Sequence, residues 1–292
     1  MASTIEFQEV ALEYKDTRAL DGVSSTLEGG CTYGLIGRNG AGKTSLLSLI
    51  ASYRKPTGGR VLIDGIEPFE QAEQMQKVWL AYSWDMSEES DSIATTLKQN
   101  AAYRPDYDLD YAFSMLERFG LDPKKALNKL SVGMQAAYSV IEAFAVNAPI
   151  TIFDEVHHGM DAPSRQLFYE MVLEAREKFQ RTMILSTHLV SEMAYLFDHV
   201  LVLHRGRLLA DEPYDTLVER GVTITGPEEP VEAFIQGYQE IDRKRLGRTL
   251  SVMLYGILKP EDMERARRAG LEVSPVSLQE LFIHMTKERS RT

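Results

Sequence analysis

The sequence predicts an α/β fold in four parts: an antiparallel β subdomain, a parallel strand–helix core, a helical subdomain inserted in that core, and a small α+β C-terminal domain. Three observations predict it. A short apolar strand, Thr32-Tyr33-Gly34-Leu35-Ile36, runs through a glycine-rich loop into the apolar helix start Ser45-Leu46-Leu47-Ser48-Leu49-Ile50. A second apolar strand, Ile150-Thr151-Ile152-Phe153, ends far downstream at Asp154-Glu155. Strands then alternate with helices, the pattern of a parallel sheet.

In chain order, residues 1–30 form strands whose apolar set is Ile5, Phe7, Val10 and Leu12, followed by Val23 and Leu27. Pro56-Thr57-Gly58-Gly59 is a turn, Arg60-Val61-Leu62-Ile63 a strand, and Asp64-Gly65 the turn that closes it. From about 86 to 149 the spacing becomes helical. Leu109, Ala112, Phe113 and Leu116 share one helix face, Gly120 stops that helix, and another helix follows Ser131. Alternation then resumes. It runs through the Ile150–Phe153 strand, a helix from Ala162 to Phe179, the Thr182–Leu185 strand, a helix to about Phe197, and the strand Val200-Leu201-Val202-Leu203. The core spans 1–215 and the C-terminal domain 216–292. In the latter, Val222–Gly226 and Leu250–Tyr255 are strands, with short helices near 230–240 and 260–269. A last helix opens at the capping box Ser277-Leu278-Gln279-Glu280, with Val276 and Leu281 as its hydrophobic staple. Its stripe Leu278, Leu281, Phe282 and Met285 packs on the domain's own sheet, or else lies on a membrane surface.

The chemistry sits at the glycine-rich loop. Gly37-Arg38-Asn39-Gly40-Ala41-Gly42-Lys43-Thr44 matches G-x-x-x-x-G-K-T, the P-loop, so the core is of P-loop NTPase type. Its glycines let backbone N–H groups turn inward around phosphates, and the helix N-terminus at Ser45 adds partial positive charge. Lys43 can reach the β- and γ-phosphates, and the Thr44 hydroxyl can hold Mg²⁺. A strand beside the P-loop strand would bring Asp154 to the same metal. Glu155, one residue later at a strand's carboxyl end, is placed to polarise an attacking water as general base.

Between these motifs lies Leu130-Ser131-Val132-Gly133-Met134-Gln135, which resembles the signature motif of ATP-binding cassette (ABC) ATPases, usually Leu-Ser-Gly-Gly-Gln. Val132 and Met134 depart from it, while Ser131 and Gly133 keep the anion site of a hydroxyl and amides at a helix N-terminus. Ser131 is equally well placed to be a plain N-cap. The resemblance covers roughly the first 215 residues. It implies that Tyr14 stacks on adenine, although a strand-end core aromatic is the alternative. It implies that Gly159-Met160-Asp161 is the D-loop at a dimer interface, and that His188 contacts the γ-phosphate. Asp85 stands where the family carries a Gln, within reach of Mg²⁺. Val156-His157-His158 replaces the usual Pro-Thr-Ser, and the two histidines suggest the dimer interface more than a zinc site.

The resemblance implies an ATP-hydrolysing subunit of an ABC transporter. Two such subunits, as homodimer or heterodimer, would sandwich ATP, the P-loop of one facing Ser131 and Gly133 of the other, and drive separate transmembrane permease subunits. The ending Ser277–Phe282 is similar to tails of exporter-type ATPases, so export is expected, at the cytoplasmic face of the membrane. Import is an alternative, as are a soluble ABC ATPase and a nucleotide-gated regulatory module.

Composition bounds the rest. The 292 residues carry a net charge of −11, which disfavours general nucleic-acid binding. A single cysteine, Cys31, excludes an internal disulfide. The N-terminus lacks the basic-then-apolar pattern of a secretory signal, and no apolar run approaches the roughly 18 residues of a membrane span. The basic cluster Arg243-Lys244-Arg245 with Arg248 is expected to be a solvated face, with anionic lipid or a partner as the alternative.

Overall fold

A six-stranded sheet organises the core. Its strands run in the order Val78–Tyr82, Ile150–Asp154, Thr182–Thr187, Thr32–Ile36, His199–His204 and Arg207–Pro213, in a computed structural model that describes residues 3–104, 106–178 and 181–288. Phe179, the expected end of the helix from Ala162, lies outside the described residues. The first five strands pair in parallel. The three central ones, Ile150–Asp154, Thr182–Thr187 and Thr32–Ile36, are buried throughout. That is why they are apolar runs and not alternating ones. Register brings their carboxyl ends level: Ile36 pairs with Thr187 and Val202, and Ser186 with Asp154.

This order corrects one expectation. The strand ending at Asp154 is not beside the P-loop strand, because Thr182–Thr187 lies between them. Asp154 still reaches the loop because Thr44 stands on the helix Lys43–Ile50, which packs on the Ile150–Asp154 strand.

The N-terminal antiparallel sheet has the order Thr17–Leu27, Ile5–Tyr14, Gly58–Ile63. The apolar phase of its central strand switches between Phe7 and Val10, and the structure absorbs the switch in a register shift there, with Glu9 at φ 48°. One residue is added, so Ile5, Phe7, Val10 and Leu12 all reach the core. Opposite the bulge, a Cβ on Gly59 would lie 2.3 Å from the carbonyl oxygens of Gln8 and Glu9, so only glycine fits. Cys31, half-buried, packs against the same core.

The inserted block contains the helices Ile93–Tyr103, Leu109–Arg118 and Val132–Ala145. Ser92, Asp108 and Ser131 cap them, each side chain accepting a backbone N–H three residues on. The Val132–Ala145 helix is buried from Ala136 onward.

Chain contacts divide the molecule into two units. One runs from the N-terminus to Leu189 and includes Tyr195–Asp211; the other comprises Val190–Ala194 and the chain from Glu212 onward. The second unit holds an antiparallel sheet ordered Gln239–Leu246, Thr249–Tyr255, Gly221–Pro227, Glu272–Pro275. Its helices include Glu228–Phe234, Pro260–Arg268 and Leu278–Glu288. The capping box is present: Glu280 N donates to Ser277 Oγ at 3.2 Å, and Ser277 N to Glu280 Oε2 at 3.1 Å. Leu278, Leu281 and Phe282 are buried, with Val276 against Leu281.

Residues 239–246, partly within the helix expected near 230–240, form a strand instead. It is an edge strand with seven of eight side chains exposed, so it offers no apolar alternation to detect. Its basic cluster is paired: Arg243 with Glu232 and Glu240, Arg245 with Glu228. Among the described residues no helix is long and apolar enough to cross a membrane.

Candidate functional site

The parallel strands end at an open cleft of about 860 Å³, lined by Tyr14, Arg38 through Ser45, Glu155, His158 and His188, among others. The loop is set by its glycines: Gly40 at φ 77° and Gly42 at φ 106° turn the chain into the helix at Lys43. Lys43 is buried; its Nζ donates to the Gly37 carbonyl at 2.8 Å and lies 3.1 Å from Glu155 Oε1.

Two carboxylates meet this loop in different ways. Thr44 Oγ1 donates to Asp154 Oδ2 at 2.7 Å. The other oxygen, Asp154 Oδ1, is buried and has no hydrogen-bond partner. A buried anionic oxygen without a donor is costly, and a hydroxyl beside it completes an all-oxygen donor set. These two residues therefore fit a hard divalent cation such as Mg²⁺.

Glu155 follows in a left-handed turn at φ 53°, its N–H held by the Ser186 carbonyl at 3.2 Å. Such a conformation is strained for a side chain of this size and recurs at functional sites. Glu155 Oε2 accepts from His188 Nδ1 at 2.9 Å and His158 Nε2 at 3.1 Å. Burial opposes ionisation of Glu155, but the Lys43 ammonium and His188 outweigh it, and the carboxyl sits below its usual range. It is thus ionised at neutral pH. The His158 and His188 rings stack at 4.6 Å between centroids. His157 is buried against Thr187 Oγ1 at 3.3 Å, and burial pushes its pKa down to about 4.

Tyr14 stands between the core and the cleft. It packs partly against the core, and it lines the cleft with its hydroxyl 3.3 Å from Ser45 Oγ and the Arg54 guanidinium 4.8 Å from its ring centre.

Three expected residues stand elsewhere. Ser131 is exposed and caps its helix, its Oγ accepting from Met134 N at 3.4 Å. Gly133 packs on the Gly159 turn of its own chain: a Cβ there would lie 2.6 Å from the Gly159 carbonyl oxygen. Asp85 is exposed, and its Oδ1 accepts from Ser87 N at 2.9 Å within its own loop. That bond holds its carboxyl below the usual range.

Sequence reasoning did not single out the contact of His158 with Glu155, although the pair at 157–158 was conspicuous. It also passed over Glu142, buried in the Val132–Ala145 helix and hydrogen-bonded by Tyr138 and Asn100. A charged residue inside an apolar helix was the signal available.

Residues 20–158 match the family model of the ABC transporter. The chain is 25% identical over 295 aligned positions to the Nod factor export ATP-binding protein I of Burkholderia thailandensis, covering 97% of this chain and 96% of that protein. It is 27% identical over 320 positions to the methionine import ATP-binding protein MetN of Bifidobacterium longum, covering 98% of this chain and 76% of that protein. Among solved structures, a dimeric bacterial ABC transporter cassette superposes with a TM-score of 0.63 at 20% identity, covering 72% of this chain and 98% of that one. The fold is that of an ABC ATPase, with its antiparallel β and helical subdomains.

Proposed function

We propose that this chain, an ABC transporter ATPase that binds and hydrolyses ATP, powers an exporter through separate membrane-spanning subunits at the cytoplasmic face of the membrane. One observation carries the chemical part of the reading: Lys43, Thr44, Glu155 and His188 line one cleft, and Asp154 is bonded to Thr44 there. A regulatory module with little turnover would not need an ionised carboxylate held between an ammonium and a histidine.

The proposed roles follow from the contacts. Backbone N–H groups of the loop and Lys43 hold the phosphates. Thr44 and Asp154 hold Mg²⁺, which when bound neutralises phosphate charge. Lys43 Nζ is shared between the Gly37 carbonyl and Glu155. Phosphates entering the loop compete for that ammonium and release Glu155, whose carboxylate then accepts a proton from water. His188 steadies the carboxylate at 2.9 Å and reads the γ-phosphate. Tyr14 stacks on adenine. Ser131 and Gly133, outside the cleft of their own chain, face ATP held by a second subunit, in the manner expected of a dimer.

Export is favoured by extent. The Nod factor export protein is matched over almost its whole length, C-terminal unit included, whereas about a quarter of the methionine import protein lies outside the match. The Leu278–Glu288 helix, with its capping box and buried stripe, fits the exporter-type tail. The test is to isolate the chain with its co-purifying membrane subunits and reconstitute them in vesicles. With ATP outside, on the side of this chain, export fills the vesicles with cargo. Emptying of preloaded vesicles means import, and recovery of an active ATPase with which no membrane subunit co-purifies means a soluble ATPase.

A further inference from the structure

We propose that Glu155, His158 and His188 form a binding site for a borderline transition-metal cation of the Zn²⁺ class, and that the ion held there silences the chain by taking up the Glu155 carboxylate. The metal site stands on the geometry of three side chains; its silencing effect rests on the ATPase reading of Glu155 and not on the direction of transport.

The three ligand atoms already face one another. Glu155 Oε2 lies 2.9 Å from His188 Nδ1 and 3.1 Å from His158 Nε2, and the two nitrogens are 3.3 Å apart. A tetrahedral zinc ion with bonds of about 2.0–2.1 Å needs its ligand atoms roughly 3.3 Å from one another. The triangle must open by only a few tenths of an ångström at two edges. Two imidazoles and one carboxylate are also a ligand set that zinc takes when it keeps a fourth position open. Here that position faces the cleft, which all three residues line.

The site differs in kind from the Thr44–Asp154 pair. That pair offers oxygen alone and suits a hard cation, whereas two imidazole nitrogens favour Zn²⁺, Cu²⁺ or Ni²⁺ over Mg²⁺. His157 is not a fourth ligand. Its Nε2 is 3.7 Å from the same carboxylate oxygen but is buried and engaged with Thr187. One adjustment is needed. The His158 and His188 rings lie nearly parallel, at 15°, so their lone pairs do not yet converge. His158 is the half-exposed member, its side chain 47% accessible, and it can turn without disturbing the core.

The consequence follows from shared atoms. An ion bound to Glu155 Oε2 withdraws the carboxylate from water and holds His188 away from phosphate. Because the resembled family usually carries Ser where His158 stands, the site is a property of this chain.

The experiment uses the full chain without nucleotide or Mg²⁺, titrated with Zn²⁺ alone against a chromophoric chelator. One equivalent should bind. His158→Ser should weaken that binding by more than about tenfold, since even a hydrogen-bond partner behind a ligand is worth roughly 10–100-fold. His199→Gln, at a histidine bonded to Asp211 elsewhere, should leave it unchanged. Co²⁺ in the wild-type chain should give the intense visible band of a four-coordinate ion, a readout independent of any variant's folding. With ATP and Mg²⁺ restored, Zn²⁺ should inhibit wild-type hydrolysis, with relief by chelator, and should inhibit His158→Ser far less when each is normalised to its own metal-free rate. Equal Zn²⁺ affinity in wild type and His158→Ser, or a six-coordinate Co²⁺ spectrum, overturns the proposal. One-equivalent Zn²⁺ binding by a wild-type chain that hydrolyses no ATP even before Zn²⁺ is added would instead count against the ATPase roles.

Discussion

Gly133→Ala tests how the signature helix is seated. The substitution adds one methyl group, and Gly133 needs no special backbone angle, so any effect comes from contact alone. That methyl would sit 2.6 Å from the Gly159 carbonyl oxygen, closer than real Cβ atoms approach. Either the N-terminus of the Val132–Ala145 helix or the D-loop must move by at least about 0.4 Å. Neither moves freely. Gly159 is at φ 84°, with Val132 Cγ1 2.7 Å from where its own Cβ would be, and the helix is buried from Ala136. Overpacking of this kind costs about 1–3 kcal/mol. In a unit of roughly 200 residues each kilocalorie lowers Tm by about 2–4 °C. Differential scanning calorimetry should therefore show a clear fall in the transition that holds the nucleotide site. ATP hydrolysis should fall with it, because Ser131 and the D-loop shift together, while ATP binding to the monomer persists. An unchanged Tm together with unchanged hydrolysis would refute the packing argument.

Glu142→Gln should change the pH dependence of stability. Burial pushes the Glu142 carboxyl up to about 7 against 4.5 unfolded, only partly offset by Tyr138, Asn100 and Arg104. The folded chain then holds a proton that the unfolded chain releases, so stability falls as pH rises from about 4.5 to about 7, by about 3 kcal/mol in all. Urea unfolding should show Glu142→Gln losing this penalty above pH 7; a variant no more stable than wild type there contradicts it. His157, lowered to about 4 by burial, acts in the opposite sense and loses stability as pH falls from about 6.5. The variant should therefore show a rise in stability with pH across that window that the wild type masks. Tyr14→Ala should weaken ATP binding by roughly 5- to 150-fold, the worth of one base–aromatic stack, with Tyr14→Phe close to wild type in a fluorescent-nucleotide titration. Equal loss in both would point to the hydroxyl and Ser45 instead. Ser131→Arg should leave monomer binding intact yet prevent an ATP-dependent dimer in light scattering; loss of monomer binding would assign Ser131 to its own subunit's fold.

The parts of the site that sequence made legible are those whose chemistry demands residue types at set spacing. Gly37 to Thr44 and Asp154-Glu155 could be read because a phosphate cradle and a strand-end carboxylate need those residues in that order. Strand order was not legible. Thr32–Ile36, Ile150–Asp154 and Thr182–Thr187 are all buried apolar runs, and nothing in such a run names its neighbour. The Gln239–Leu246 strand was hidden for the opposite reason, since its exposed, charged side chains carry no period. The C-terminal helix was legible because Ser277 and Glu280 bond to each other within four residues. His158 against Glu155 needed three dimensions: the strained turn at Glu155 folds the segment back, and His188 arrives from a different strand. Asp85 occupies its expected loop, yet its carboxylate is satisfied locally by Ser87, a contact two residues away that a family comparison does not weigh.

Glu155→Gln bears most directly on the account, because the substitution keeps size and most hydrogen bonding but removes the base. ATP hydrolysis by the purified chain, with its membrane partners if hydrolysis requires them, should fall by about 10²–10⁴, the usual worth of a positioned general base. ATP should still bind, since Lys43 and the loop are untouched and Lys43 loses its competing carboxylate at 3.1 Å. An ATP-dependent dimer should accumulate. Hydrolysis at the wild-type rate in Glu155→Gln would contradict the account.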